Sequence, residues 1–205
     1  MAVIGFAGHA QHGKDTAAQA LVNEFGFKTV AFADPVRRGL LALDPYVECS
    51  YLVYKGMHES GLPVPNCYER LSDLVRRHGW DVVKKLPEVR RLMQRYGTEA
   101  GRDIHGYDCW VNLMDSWLDD AKGDIAITDV RFDNEADLIH EFGGYVYYIF
   151  RPQYDNGLSA HRSEPESFEW ADKTILNTGT VNDLQSKVII QFLQDYEMEW
   201  TAKAV

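Results

Sequence analysis

Residues 8–16 carry the pattern with the clearest chemistry in this sequence. Gly8 and Gly13 are separated by four residues and Lys14 follows at once, which matches the G-x-x-x-x-G-K spacing of a phosphate-binding loop. Glycines let successive backbone N–H groups turn toward one phosphate, and the N-terminus of a following helix adds partial positive charge. Lys14 would then reach the outer phosphates of a nucleoside triphosphate. The alternative is an ordinary strand-to-helix turn with an exposed lysine.

Acidic residues near this loop and near a later strand are candidates for binding magnesium. Asp15 follows Lys14, where such loops usually have a Ser or Thr hydroxyl, and Thr16 is next. A carboxylate is a good magnesium ligand, but Asp15 also fits a helix N-terminal acid favoured by the dipole. Asp129 follows the apolar run 125–128, at the carboxyl end of a predicted strand, where open α/β sheets bind ligands. Its alternative role is a helix N-cap.

Several arginines occur where a loop or a strand end would place a cation near a ligand. Phosphoryl transfer needs such cations, because the developing charge spreads over the phosphate oxygens. The arginines at strand ends or in glycine-rich or polar loops are Arg102, Arg131, Arg151 and Arg162, and Arg37 and Arg38 follow the second predicted strand. Trp110 and Tyr107 could stack on a base or pack in the core. We expect His9 and His12 to be exposed.

Apolar runs alternate with helical patterns along the chain. The predicted strands are residues 2–7, 29–33, 124–128, 145–150 and 174–176, and the predicted helices are residues 16–25, 35–43, 67–78, 87–96, 108–121, 134–142 and 182–196. Strands alternating with helices are typical of a parallel sheet that is covered on both faces. We expect a loop over residues 44–66, a glycine-rich turn over 97–102 and a polar stretch over 151–170.

Composition limits the class of protein. A length of 205 residues favours one domain with an elaboration. The formal net charge of −10 argues against broad binding to nucleic acid polymers or anionic membranes. The three cysteines lack Cys-x-x-Cys spacing, which argues against a disulfide framework and against a zinc ribbon. We therefore expect the protein to be in a reducing cytosol. We expect no membrane span, since no apolar run approaches 18 residues. We also expect no signal peptide, since no basic residue precedes the short apolar run at the N-terminus.

Short blocks across most of the chain resemble the deoxynucleoside monophosphate kinases of bacteriophages, within the nucleoside-kinase group of P-loop proteins. The blocks that carry this resemblance are residues 13–16, 32–35, 94, 97–99, 101–102, 108–111, 128–135, 161–164 and 177–180. Beyond the phosphate loop, the resemblance depends on the order and spacing of these blocks together. An Asp after the loop lysine looks like the usual choice in that family.

The resemblance implies a fold and a division of the chain. It implies a three-layer α/β kinase fold of the adenylate-kinase type over residues 1–205, with a central parallel sheet of about five strands. A helical region over about 35–122 would bind the acceptor, and a short lid over about 151–170 would close over the reactants. The protein would be cytoplasmic, in the host cytoplasm if a phage encodes it. The sequence leaves the oligomeric state open, with a homodimer among the options.

The resemblance also implies a reaction, namely transfer of the γ-phosphoryl group of ATP to a deoxynucleoside monophosphate with Mg²⁺. The donor would be bound by Gly8, Gly13, Lys14, Asp15, Thr16, Asn177 and Thr180, and the acceptor by Asp34, Arg37, Arg38, Arg102, Asp108 and Trp110. Asp15 and Asp129 would hold the metal. Lys14, Arg131, Arg151 and Arg162 would act on the moving phosphoryl group, with Arg131 also near the acceptor phosphate.

Two other functions fit the same sequence. One is a kinase for another small phosphorylated acceptor, such as phosphomevalonate or dephospho-coenzyme A. The other is a non-catalytic nucleotide-binding module, against which stands the number of arginines beyond what ATP alone needs.

Overall fold

The computed structural model describes residues 1–54, 59–61, 63–154 and 168–203. The chain divides into two compact units. The first unit comprises Met1–Phe32 and Val111–Val205, and the second comprises Ala33–Trp110. Among the described residues, no helix combines the length and the apolar character needed to cross a membrane.

The described elements follow one another as strands and helices over most of the chain. In chain order they are β1 Val3–Ala7, α1 Lys14–Phe25, β2 Lys28–Val30, α2 Asp34–Leu43, β3 Tyr46–Glu48, α3 Ser50–Val53, β4 Tyr68–Arg70, α4 Leu71–His78, α5 Trp80–Val83, α6 Pro87–Gln94, a π-helix Arg95–Arg102, α7 Asp103–His105, α8 Cys109–Asp120, β5 Ile125–Val130, α9 Asp133–Glu141, β6 Tyr145–Phe150, a 3₁₀ turn Pro152–Tyr154, β7 Lys173–Leu176 and α10 Val181–Lys203.

A five-stranded sheet forms the centre of the first unit. Its strand order is β2-β5-β1-β6-β7, and every neighbouring pair is parallel. The predicted sheet of about five parallel strands is therefore confirmed. β1 lies in the middle, and its last residue, Ala7, pairs with Val130 of β5 and Tyr148 of β6. The carboxyl ends of these three strands consequently lie side by side.

Alternation along β1 separates the two faces of the sheet. Val3 and Ala7 belong to one buried apolar cluster, together with side chains of α8 and α9. Ile4 and Phe6 belong to a second cluster, together with side chains of α1 and α10. Because side chains of a strand alternate between faces, the sheet is covered on both sides. The first unit has three layers, as predicted.

The second unit contains a short antiparallel hairpin that the sequence did not predict. β3 pairs with β4 in the segments predicted as a loop and as the start of a helix. Arg70 covers the ring of Tyr46 at 4.4 Å, which is cation–π contact. Predictions of a loop over 44–66 and of a helix from residue 67 are therefore wrong at these positions, and α4 begins at Leu71. The apolar core of this unit includes Val47, Leu74 and side chains of α6.

Residues 97–102 are the last six residues of the π-helix Arg95–Arg102 rather than the predicted glycine-rich turn. The indole Nε1 of Trp110 donates a hydrogen bond to the Gly97 carbonyl at 2.7 Å, and the Trp110 ring packs against Tyr96. These contacts hold a helical backbone where two glycines predicted a turn. The second strand also ends at Val30 instead of residue 33, because its pairing with β5 stops at Val30, and Ala33 is already the N-cap of α2.

Candidate functional site

The loop between β1 and α1, residues 8–13, has the backbone shape that its glycines predict. We call it the glycine loop. Gly13 has φ +100° and Gly8 has φ +143°, values that side-chain-bearing residues rarely adopt. A Cβ atom on Gly8 would lie 2.6 Å from the carbonyl oxygen of Ile149, and one on Gly13 would lie 2.8 Å from Nδ2 of Asn177. Both glycines are therefore required by conformation and by space.

Lys14 begins α1, and its ammonium group points back over the glycine loop. Nζ donates hydrogen bonds to the carbonyl oxygens of Gly8 at 2.6 Å and His9 at 2.9 Å. The helix N-terminus adds partial positive charge at the same place. Asp15 is exposed and Thr16 half-buried in the first turn of α1. The arrangement can hold an anion between the loop and the ammonium group.

His12 is fully buried, so the prediction that it is exposed is wrong. Its Nδ1 lies 3.1 Å from the carbonyl oxygen of Ile149, and its ring makes an edge contact with Phe150. Both partners belong to β6. His12 therefore fastens the glycine loop to the neighbouring strand, which the sequence could not reveal because the pattern leaves that loop position unconstrained. His9 is half-buried and makes edge contacts with His12 and Phe168.

Asn177 braces the glycine loop from the end of β7. Its Nδ2 donates a hydrogen bond to the His12 carbonyl at 2.9 Å, and its backbone N–H donates to the Phe150 carbonyl at 2.8 Å. The side chain is buried. Thr180 directly precedes α10, and its backbone N–H donates a hydrogen bond to the Asp183 carboxylate at 2.7 Å. That hydrogen bond lowers the pKa of the Asp183 carboxyl.

Asp129 lies within β5, one residue before its end, rather than after the strand. Its Oδ1 accepts a hydrogen bond from the backbone N–H of Phe32 at 2.7 Å. The alternative role as a helix cap is wrong, because α9 begins at Asp133 with Phe132 as its N-cap. The carboxylate therefore lies at the carboxyl edge of the sheet and fixes the end of the segment that follows β2.

Buried Glu135 orients the turn after β5. Its Oε2 accepts hydrogen bonds from the backbone N–H groups of Arg131 at 2.8 Å and Phe132 at 3.3 Å. The Arg131 side chain is exposed. Glu135 is thus a positioning residue that sequence reasoning missed, although a Glu in the first turn of a helix is itself a recognisable capping signal.

Arg151 directly follows β6 and is half-buried. Because β1 lies between β5 and β6, the glycine loop, Asp129, Arg131 and Arg151 all occur at the carboxyl ends of adjacent strands. Ligands of open α/β sheets bind at this edge. Arg162 and most of the predicted lid lie outside the described residues.

In the second unit, α2 presents charged residues that were predicted to bind the acceptor. Nη1 of Arg37 forms an ion pair with Oδ1 of Asp34 at 2.8 Å, one turn earlier on the helix. Arg38 is exposed. The pair leaves the two charges of Asp34 and Arg37 partly compensated, while Arg38 lies in contact with solvent.

Arg102, in the second unit, is buried, at 9% exposure. Its Nη1 donates a hydrogen bond to the Tyr107 carbonyl at 2.9 Å, and its guanidinium lies 5.3 Å from the centre of the Tyr107 ring. Arginine is rarely this buried without partners. Asp108, six residues after Arg102, is exposed. The Trp110 indole packs on the π-helix. Arg102 is therefore held in place rather than solvated.

Comparison with known proteins identifies the class. A phosphate-binding loop that follows the central strand of a parallel sheet, with helices on both faces of the sheet, is typical of nucleotide-binding kinases. The family model described as "Deoxynucleotide monophosphate kinase" matches residues 70–188. The chain belongs to this family, and it is a kinase.

Individual relatives are distant. A protein of Acanthamoeba polyphaga mimivirus, provisionally named a deoxynucleotide monophosphate kinase, is 27% identical over 92% of this chain and 95% of its own length. Among solved structures, a dephospho-CoA kinase from Campylobacter jejuni is 18% identical, with 96% and 98% of the two chains covered and a TM-score of 0.46. A shikimate kinase from Acinetobacter baumannii is 14% identical, with 95% and 94% covered and a TM-score of 0.45. The family assignment depends on the sequence match and not on these structural likenesses.

Proposed function

We propose that this kinase transfers the γ-phosphoryl group of ATP to a deoxynucleoside monophosphate, giving ADP and a deoxynucleoside diphosphate. One observation carries the proposal. The glycine loop follows β1, and β1 pairs on both sides with strands, β5 and β6, that lie in the segment matched by the family model. A donor-phosphate loop and family-specific strand ends therefore share one edge of the sheet.

The donor phosphates would bind in the glycine loop. Backbone N–H groups of the loop and the N-terminus of α1 would receive the phosphate oxygens. Lys14 would exchange its hydrogen bonds with the carbonyls of Gly8 and His9 for hydrogen bonds with the outer phosphates. Because the ammonium group is already directed over the loop, little reorganisation is needed. Asn177 and His12 would keep the loop in its binding shape.

The carboxylates of Asp15 and Asp129 fit a magnesium ion, since Mg²⁺ prefers oxygen ligands and is commonly held by one or two carboxylates plus substrate phosphates. Thr16 offers a hydroxyl as a further ligand. When bound, the ion would offset negative charge on the donor phosphates. Asp129 would also keep the Phe32 segment in place through its Oδ1.

Substitution of Asp129 by asparagine separates these two roles. The amide oxygen can still accept the Phe32 N–H, but it carries no charge for a metal. We expect Asp129→Asn to raise the magnesium concentration for half-maximal rate about tenfold or more, in line with the effect of altering a metal site. The measurement is the rate as a function of magnesium concentration at saturating substrates.

Asp124→Asn is the matched control for this variant. Asp124 precedes β5, and its Oδ1 accepts the backbone N–H of Ala2 at 2.7 Å, so it makes the same kind of hydrogen bond at the opposite edge of the sheet. We expect its magnesium dependence to equal that of the wild type. An unchanged dependence in Asp129→Asn would return Asp129 to a purely structural role.

Arginines would neutralise the transferring group. Arg131 and Arg151 follow strands on either side of β1, so their side chains begin near the glycine loop. A guanidinium group binds phosphate oxygens in a bidentate manner. Arg162, on the predicted lid, would reach the same group after closure. The acceptor would be bound by Arg102, Arg37, Arg38 and Asp34, with Asp108 and Trp110.

The brace formed by Asn177 gives a prediction for nucleotide binding. Asn177→Ala removes the hydrogen bond to the His12 carbonyl, and an unsatisfied buried polar group costs about 1–3 kcal/mol. We expect the dissociation constant for ATP to rise about tenfold, because the loop then populates other shapes. The control is Asn182→Ala, an exposed asparagine of the same unit. Equal ATP affinity in both variants, measured by calorimetric titration, would show that the brace has no role in binding.

A panel of acceptors tests the acceptor class. ADP release should depend on a deoxynucleoside monophosphate and should be slow with phosphomevalonate, dephospho-coenzyme A or no acceptor. The ribonucleoside monophosphates in the same panel measure the selectivity for deoxyribose. Faster turnover with one of the other phosphorylated acceptors would replace the proposed substrate class while leaving the kinase assignment intact.

A further inference from the structure

Two cysteines of the second unit lie opposite each other where the β3–β4 hairpin meets residues 50–66. The register that pairs Glu48 with Tyr68 continues to Cys49 and Cys67. The Cys49 backbone N–H donates a hydrogen bond to the Cys67 carbonyl at 2.8 Å, and the two Sγ atoms are 3.2 Å apart. The two residues are 18 positions apart in sequence, so their spacing alone gave no signal.

Glu69 brings a carboxylate to the same two sulfurs. Cys67 directly precedes β4 and Glu69 lies within it, and the two residues are two positions apart in extended chain, so their side chains point to the same face. Oε1 of Glu69 lies 4.0 Å from Sγ of Cys67. The other oxygen, Oε2, forms an ion pair with Arg77 of α4. This ion pair holds the carboxylate in the orientation in which Oε1 faces the thiols.

These three side chains have the composition of a metal site. Among the residues that the structure describes, Cys49, Cys67 and Glu69 are the one group of three or more His, Cys, Asp or Glu residues whose ligand atoms all lie within 4.8 Å of one another. A tetrahedral site with zinc–sulfur bonds of about 2.3 Å places two sulfurs about 3.8 Å apart. The present separation therefore needs to grow by only about 0.6 Å, which small side-chain rotations supply.

We propose that Cys49, Cys67 and Glu69 bind one thiophilic divalent metal ion of the zinc class, with water as a fourth ligand. Two thiolates and one carboxylate carry three negative charges, which a divalent ion and Arg77 together neutralise. Arg77 then has the role of an outer-shell partner that orients a ligand. The bound ion would join the two chain segments on either side of residues 50–66 and stabilise the hairpin of the second unit.

The carboxylate favours a metal ion over a disulfide between the same sulfurs. A disulfide would bring the sulfurs to about 2.05 Å from each other. It would provide no cation for Oε1 of Glu69 to bind. A disulfide would also need an oxidant, such as a small-molecule disulfide that reacts first with half-buried Cys67. Metal binding needs only the loss of the two thiol protons.

The test is a titration of the full-length, reduced protein with Cd²⁺ and Zn²⁺ without oxygen. Cadmium bound to thiolate gives an ultraviolet charge-transfer absorption, and zinc affinity follows from competition with a chelating dye. We expect one ion per chain, and a melting temperature that rises with metal concentration. Cys109→Ser is the matched control, since Cys109 is a half-buried cysteine outside the cluster, and it should bind like the wild type.

Cys67→Ser and Glu69→Gln are the decisive variants, because both residues are only partly buried and each variant can be checked for folding by circular dichroism. Loss of a direct ligand should weaken zinc binding by more than the roughly 10–100-fold typical of an outer-shell change. Absence of metal binding by the folded, reduced wild type would overturn the proposal. Unchanged affinity in folded Cys67→Ser would also overturn it, as would oxidation to a Cys49–Cys67 disulfide as the only reaction of the pair. These readouts do not depend on kinase activity.

Discussion

Lys14→Met should lower kcat/KM for ATP by on the order of 10³-fold while the protein stays folded, in the range found when one preorganised donor is removed from a site of developing charge. Lys14 is positioned for this role, since its Nζ lies over the carbonyls of Gly8 and His9. Methionine has a similar length without the charge. Its cost to stability should be small, about 1 kcal/mol, because the two hydrogen bonds that methionine cannot make are only partly buried.

Lys28→Met is the control for this variant. Lys28 is an exposed lysine at the start of β2, and its Nζ donates a hydrogen bond to the Lys122 carbonyl, far from the glycine loop in sequence. Its kinetics should match the wild type. Steady-state kinetics and melting temperatures of both variants provide the comparison. A folded Lys14→Met protein with near-normal turnover would remove the glycine loop from the donor site.

The next largest effects are expected for Arg151 and Arg162. A cation that contacts the moving phosphoryl group acts mainly in the transition state, so its removal lowers kcat with little change in KM. By analogy with arginine fingers, we expect losses on the order of 10³-fold for Arg162→Ala, and a comparable loss for Arg151→Ala if both contact the group. Arg151 follows β6 beside the central strand and needs no closure of a lid.

Steady-state kinetics of the two alanine variants distinguish these arginines. Arg76→Ala is the control, since Arg76 is an exposed residue of α4 paired with Asp73. A variant that raises only KM for ATP or for the monophosphate identifies a binding arginine. If neither variant lowers kcat more than Arg76→Ala does, charge neutralisation must come from other residues, with Arg131 the next candidate.

The strands of the first unit could be predicted because burial on both faces produces a strong apolar signal. Residues 145–150 and 125–128 are apolar runs, and their strands occur at those places. Gly8, Gly13 and Lys14 could be predicted for a related reason, since the loop shape demands particular residue types. Family membership was also indicated by the sequence, whereas a phage origin, a homodimer and a cytoplasmic location stay predictions.

The features that the sequence did not predict depend on contacts between distant residues. The strands β3 and β4 are each 3 residues long, so pairing rather than local preference stabilises them. The π-helix depends on the indole of Trp110, which lies beyond its last residue. His12 is buried by β6, 137 positions away in sequence. None of these partners can be inferred from the local pattern around the residue concerned.

Transfer of labelled phosphate tests the central claim most directly. ATP labelled at the γ-phosphate is incubated with the protein, magnesium and each deoxynucleoside monophosphate, and the products are separated. We expect the label to appear in a deoxynucleoside diphosphate, and we expect Lys14→Met to abolish the transfer while Lys28→Met does not. Label found only in inorganic phosphate, at a rate independent of the monophosphate, would contradict the proposed function.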